Sequence, residues 1–324
     1  MRQIPLVTLT TDFGTADGYV GTMKGVILSI APDAQLVDIS HEIAPQNVRQ
    51  AAYVLYTAYP FFPPHTVHLV VVDPGVGSAR RPIALRTPAG YFVGPDNGVF
   101  SYVMAREPVE ALVELRDPRY RLPQVSHTFH GRDVFAPAAA HLAAGVPITA
   151  LGPPVLDPVT FPPPCLEITP EGITGEVLHA DRFGNVITSI GKLMWVGDEL
   201  VLEPAFQDAG SRMQDAGCRK QDAGGRKQEA GGRKQGAGSR KQEAGSRRWE
   251  AGSGRRVRFK ADGATVVVAG REIAGVRHTY AEVAPGEVLA LVGSEGHLEI
   301  AVREGSAARR LGLRSGDRVV LRLR

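Results

Sequence analysis

The stretch that decides the fold is Thr66-Val67-His68-Leu69-Val70-Val71-Val72-Asp73-Pro74-Gly75-Val76-Gly77-Ser78. A nearly unbroken β-branched run closed by Asp-Pro-Gly reads as a strand buried on both faces, the kind found inside parallel sheets covered by helices. The residues before it carry the alternation that such a sheet needs. Ile4 to Thr10 and Gln35 to Ser40 read as strands, and Gly18 to Ile30 and Val48 to Tyr59 read as helices between them. After it, Ile83 to Arg86 and Tyr91 to Val93 are expected to form a hairpin at the sheet margin, and Asp133 to Leu142 reads as an Ala-rich helix. Residues 1–152 are therefore expected to be an N-terminal α/β domain with a mainly parallel sheet.

Six prolines fall among the fourteen residues from Leu151 to Pro164, which removes backbone donors and marks a stiff linker at 153–164. Beyond it, Ile173 to Asp181, Asn185 to Ile190, Val257 to Lys260, Ala264 to Val268, Val288 to Val292 and Leu298 to Val302 are short strands separated by turn residues. Residues 165–324 thus read as a smaller, all-β, barrel-like C-terminal domain. It is interrupted at 207–256 by a tandem array of period seven (QDAGSRM, QDAGCRK, QDAGGRK, QEAGGRK, QGAGSRK, QEAGSRR), with no apolar a and d positions for a coiled coil. Gly, Ser, Gln and charge in this proportion cannot bury enough surface to offset ordering entropy, so the array is expected to be disordered.

The array also explains the charge balance. It holds 13 Lys and Arg against 6 Asp and Glu, a net of +7, which leaves −4 on the rest of a chain whose total is +3. A basic segment of this kind attracts nucleic acid by counterion release, but apart from Trp249 it lacks the aromatic residues that would stack bases, so no nucleic-acid partner is expected. With 324 residues, 43% hydrophobic and 22% charged, the composition is that of a globular protein, and no apolar run approaches the ~20 residues of a membrane span. The start of the chain passes into a strand pattern without a secretory apolar stretch, so the expected address is cytoplasmic. Two cysteines, Cys165 and Cys218, make neither a disulfide framework nor a zinc-ligand cluster.

Ligands of parallel α/β sheets bind beyond the carboxyl ends of the strands. Asp12, at the end of the first strand, and Asp73, at the end of the deciding one, should therefore share one rim; either alone could equally cap a turn. A third polar cluster is Ser126-His127-Thr128-Phe129-His130-Gly131-Arg132-Asp133. A histidine beside Arg and Asp can orient a water or carry a proton, and Gly131 allows close backbone approach. Asp73, His127, His130 and Asp133 are also candidate metal ligands, though no dense metal motif supports them. The GxSxG elbow of a serine hydrolase is missing, as is a phosphate loop ending in GK[ST].

Five motifs in order, TTDFG at 10–14, VDPGVGSARR at 72–81, GPDNG at 94–98, TFHGRD at 128–133 and DRFGN at 181–185, resemble those of the S-adenosylmethionine (SAM) hydroxide adenosyltransferases, relatives of the bacterial fluorinase and chlorinase. The resemblance spans roughly residues 4–206 and 256–324; the array has no counterpart in it. It implies a homotrimer with substrate sites between the N-terminal domain of one subunit and the C-terminal domain of its neighbour. It also implies hydrolysis of SAM, including its R-sulfonium epimer, to adenosine and methionine by attack of water at ribose C5′. No cofactor and no metal are implied, SAM being the substrate itself.

By this resemblance the water-using members carry an Asp–Arg–His set that maps onto Asp73, Arg80 and His130 as catalytic residues, where halogenases have Tyr in place of Asp73. Gly131 stands where fluorinase has a halide-holding Ser, but chlorinases share the Gly, so it decides nothing. Asp12 is implied to accept the ribose hydroxyls, and Asp181 and Asn185 to hold the methionine end or the nucleoside. Ser294, Glu295 and Val302 fall in the segment that holds methionine's charged groups and the adenine edge, with Glu295 replacing a halogenase Arg. Phe129 and Phe183, taken singly, read as core packing. A carboxylate facing the site would oppose a halide by about 4 kcal/mol at ~4 Å and an effective dielectric near 20. The alternatives are a chlorinase-type halogenase and a non-catalytic SAM or adenosine sensor.

Overall fold

A computed structural model describes residues 4–204 and 256–323. The heptad array, apart from Arg256, lies outside the described residues, and with it the expectation of disorder. The chain divides into two compact units, one running to Pro163 and one from Pro164.

The first unit contains β1 (Leu6–Thr11), α1 (Tyr19–Ile30), β2 (Gln35–Ser40), α2 (Val48–Ala58), β3 (Thr66–Val71), β4 (Pro82–Thr87), β5 (Gly90–Pro95), α3 (Ser101–Arg106), β6 (Ala111–Glu114) and α4 (Ala136–Ala143). The strands form one sheet in the order β2-β1-β3-β5-β4-β6. The first four run parallel, and β4 is antiparallel to both of its neighbours. Every residue of β3 is buried, as a strand covered on both faces requires. Val7 and Leu9 on β1 and Val67, Leu69 and Val71 on β3 share a core with Met23 and Ile27 of α1 and the alanines of α4. Val20, Met23 and Ile27 recur at helical spacing, which gives α1 its single buried stripe.

Two expectations are corrected here. The β4–β5 hairpin is not the sheet margin, because β6 pairs outside β4; its four-residue ALVE core is too short for periodicity to register. The expected helix from Asp133 is not uniform either. Gly131–Phe135 forms a wide π-helical turn that passes into α4, a widening that often marks functional positions.

The second unit is built of β7 (Leu166–Thr169), β8 (Gly172–Ala180), β9 (Val186–Thr188), β10 (Leu193–Val196), β11 (Glu199–Leu202), β12 (Val257–Lys260), β13 (Thr265–Val268), β14 (Arg271–Ala274), β15 (Val288–Val292), β16 (Leu298–Val302), α5 (Ala307–Leu311) and β17 (Arg318–Arg322). One antiparallel sheet runs β14-β13-β17-β8-β9-β16-β15, with β7 on the edge of β8, and β10-β11-β12 form a second. A bridge between Arg277 and Leu291 links the far ends of the larger sheet, so it is nearly closed as a barrel. Ile173, Val186, Ile190, Leu200, Val266, Ile300 and Val319 fill its interior. On β11 and β12, Leu202 pairs directly with Val257 across the position where the array is inserted.

Candidate active site

β1 and β3 pair in register, Thr11 opposite Val71, so the residues that follow them emerge side by side. Asp12 and Asp73 accordingly line one pocket of about 410 Å³, together with Phe13, Tyr19, Phe129 and His130. Phe13, Tyr19 and Phe129 form a triangle of rings with centroids 5.2–6.0 Å apart in tilted and edge-on contacts. Such rings present both apolar faces and π density to a ligand.

Arg80 joins the other two members of the polar set. Its Nε donates to both carboxylate oxygens of Asp73 at 2.9 Å, and its Nη2 donates to Asp73 Oδ2. The same Nη2 lies 2.8 Å from His130 Nδ1. Only 9% of the Arg80 side chain and 5% of Asp73 is exposed, so this is a buried ion pair that loses much if either partner is removed. Burial, reinforced by the Arg80 charge, pushes the His130 pKa below its ordinary value, against the opposing pull of Asp73 and Asp133. His130 is thereby held as neutral imidazole.

Local sequence explains why these groups converge. Gly77 adopts φ +76, and a Cβ there would meet the His127 carbonyl oxygen at 2.6 Å, so the loop carrying Arg80 packs directly on the loop carrying His130. A Cβ on Gly131 would lie 3.1 Å from Met23 Sδ and 3.2 Å from Phe129; the close approach foreseen for this glycine is made to those side chains. Asp133, a candidate metal ligand by sequence, is fully buried and committed: its carboxylate accepts from the Ser126 N–H and from Arg132. In the GPDNG motif, Asn97 donates to the Val72 carbonyl and Asp96 accepts from Arg81, bracing the strand end that bears Asp73. No group of three or more His, Cys, Asp and Glu suited to a metal occurs among the described residues.

The remaining expected residues lie in the second unit. Asp181 and Asn185 sit on the β8–β9 turn, where Asp181 accepts from the Asn185 backbone and side-chain N–H groups at 2.8 and 3.0 Å. Asn185 Nδ2 also donates to the Tyr280 hydroxyl at 3.3 Å. Ser294 and Glu295 are on the β15–β16 turn, while the Val302 side chain is in the barrel core, leaving only its backbone for an adenine edge. Phe183 is 77% exposed, which corrects the reading of it as core packing: it crowns a turn, with no interior beneath it.

The N-terminal part of the chain, residues 7–152, matches the SAM hydroxide adenosyltransferase N-terminal domain, and residues 250–320 match the C-terminal domain of the same family. An (R)-S-adenosyl-L-methionine hydrolase of Salinispora tropica is 36% identical over 98% of this chain and 98% of its own. The chain belongs to the SAM hydroxide adenosyltransferase family. A fluorinase of Actinopolyspora mzabensis is a more distant relative, 30% identical over 64% of this chain and 84% of its own. The crystal structure of an uncharacterised conserved protein from Thermotoga maritima aligns with a TM-score of 0.73 at 33% identity, covering 97% of this chain and 99% of that one.

Within this SAM hydroxide adenosyltransferase, residue reasoning alone missed Glu299 and Tyr280. Burial first, and then the charges of Asp181 and Glu295, raise the Glu299 carboxyl to about 7. Burial, Glu299 and Asp181 likewise raise the Tyr280 hydroxyl. Glu299 alternates along LEIAV like a solvent-facing strand residue, so nothing in the pattern marks it. Gln46, whose N–H donates to Asp12 Oδ2 at 2.8 Å, was missed because it lies 34 positions away in a loop without a motif.

Proposed function

We propose that this chain hydrolyses SAM, in its R-sulfonium form, to adenosine and methionine, with Asp73, Arg80 and His130 as the catalytic set. The observation that carries the reading is the hydrogen-bonded line Asp73–Arg80–His130, whose two ends line the pocket shared with Asp12. A sensor needs only to hold its ligand; a buried carboxylate aligned by a two-pronged guanidinium beside a neutral imidazole is the equipment of proton management.

The chemistry asks for little else. The oxygen of water forms a bond to C5′ as the C5′–S bond breaks, and the electron pair goes to sulfur, which departs as the neutral thioether of methionine. A neutral leaving group needs no acid and no Lewis acid, so positioning and in-line attack dominate. Asp73 accepts a hydrogen bond from the water and takes up the proton it loses. Arg80 fixes the carboxylate, and His130 offers Nε2–H to orient the nucleophile. Asp12 accepts both ribose hydroxyls, a task suited to a group with acceptors only, and the ring triangle faces the cationic sulfonium.

Asp181, Glu295 and Glu299 make the C-terminal cluster acidic, which suits the methionine ammonium better than its carboxylate. We place this cluster at the methionine end of the substrate, in a homotrimer whose neighbouring subunit completes each pocket. The test is incubation with each sulfonium epimer in halide-free, chelator-treated buffer, following adenosine and methionine by chromatography. Adenosine from the R epimer, undiminished by chelator, is the expected result. Turnover only after chloride is added would make the chain a halogenase, and tight binding without turnover would make it a sensor.

A further inference from the structure

Asp12 is useful only if its carboxylate is already aimed when the ribose arrives, and the structure contains a device that aims it. Thr11 is fully buried, and its Oγ1 lies 2.9 Å from Nδ1 of His41, which is only 5% exposed. The same Oγ1 accepts the Phe13 N–H at 3.3 Å, so the Thr11 hydroxyl bridges across Asp12 from one side to the other. The His41 carbonyl accepts the Gly14 N–H at 2.8 Å, and the Ile43 N–H reaches the Thr11 carbonyl at 3.4 Å. Three residues after Ile43, the Gln46 N–H binds Asp12 Oδ2. Gln46 adopts φ +63, a backbone conformation a non-glycine residue takes only when its surroundings require it. The loop is itself anchored, because the Ala44 N–H donates to Gln50 Oε1 on α2.

Beyond His41 the polar line continues. Asp38 Oδ1 lies 3.0 Å from His41 Nε2, and Asp38 Oδ2 is 2.6 Å from Lys24 Nζ. A carboxylate beside Nε2 favours the tautomer that carries the ring proton on that nitrogen. Nδ1 is then left to accept from the Thr11 hydroxyl, whose lone pairs stay available to the Phe13 N–H. In that tautomer the Thr11 hydroxyl donates to His41 and accepts from Phe13, so the line ends on the backbone just after Asp12.

We propose that His41 is a positioning residue that pre-sets Asp12 for the vicinal hydroxyls of a ribose. The inference rests on reading Asp12 as the ribose ligand, and the experiment separates the two. Binding of adenosine and of 2′,3′-dideoxyadenosine to the full-length protein is measured by calorimetry, because the ratio of the two affinities isolates the hydroxyl contacts. Asp12→Ala should abolish the preference for adenosine. His41→Ala and the shape-conserving Thr11→Val should each reduce that preference about tenfold while leaving the dideoxynucleoside unaffected, the scale of one hydrogen bond. His41→Asn, whose amide oxygen can accept from Thr11, should restore most of it.

In turnover assays the same variants should raise KM for SAM more than they lower kcat. If Asp12→Ala loses the preference but His41→Ala and Thr11→Val keep it, the inference is overturned and the Asp12 reading stands. Equal weakening of both nucleosides would mean general damage and would also overturn it. If Asp12→Ala keeps the preference, the ribose reading falls and the inference falls with it.

Discussion

Arg80 Nη2 and His130 Nδ1 are 2.8 Å apart, and because a guanidinium only donates, Nδ1 must be the accepting nitrogen and the proton of the neutral ring must sit on Nε2. Charging the ring would place an N–H against Arg80 and break this contact. The His130 pKa is lowered, chiefly by burial and then by Arg80, so the ring stays neutral at pH values where a free histidine already protonates. The pH profile of kcat/KM should therefore stay flat from neutral pH downward and fall only below His130's ordinary value of 6.5. An acid limb centred above pH 7 would contradict this assignment.

Asp73→Ala should lower kcat by about 10²–10⁴, the usual span of positioned proton acceptors, while SAM binding changes little. Arg80→Lys keeps the charge but cannot present Nε and Nη2 to two partners at once, so it should lose turnover nearly as severely. Single-turnover rates and calorimetry measured side by side check both variants. Loss of binding in step with loss of rate would point to a structural role for the set.

Glu299 provides a stability test. Its folded pKa of about 7 lies above the ordinary 4.5, so the folded state holds a proton that the unfolded chain releases between those values. Its unfavourable contribution is absent below pH 4.5, grows as pH rises to about 7 and is complete above that. Glu299→Gln, neutral at every pH, should melt higher than the wild type at pH 8, on the order of 1 kcal/mol after allowing for solvent screening, and equally at pH 4. Thermal melts at the two pH values decide the matter.

If the C-terminal cluster of one subunit serves the pocket of another, Asp73→Ala and Asp181→Ala chains mixed under refolding conditions should regain turnover that neither has alone. Light scattering gives the subunit count of the same samples. Active wild-type monomers, or no recovery in verified mixed oligomers, would refute shared sites.

Much of the architecture could be read along the chain, because its signals are local. The β3 run and its terminal Asp73 announce a buried parallel strand, and Asp12 repeats the pattern one strand over. Strands such as β10, β11, β14 and β17, four or five residues long, are too short to separate from turns. The site itself is harder to read. Arg80 and His130 are 50 positions apart, and only the packing of Gly77 on the His127 backbone brings them together, so motif resemblance was the sole guide to the pair. His41 and Glu299 escaped altogether. One looks like an ordinary loop histidine until Thr11 closes on it, and the other like a strand's outward residue until Asp181 and Glu295 fold around it.

The direct pairing of Leu202 with Val257 has a consequence for how this gene can change. The two partners of a single rung of this hairpin ladder bracket the whole array, so each unit of seven codons gained or lost preserves the reading frame and falls outside the paired residues. The hairpin mouth is thus a splice point at which the copy number of a repeat can drift while the pocket walls around Asp12, Asp73 and His130 are inherited unaltered.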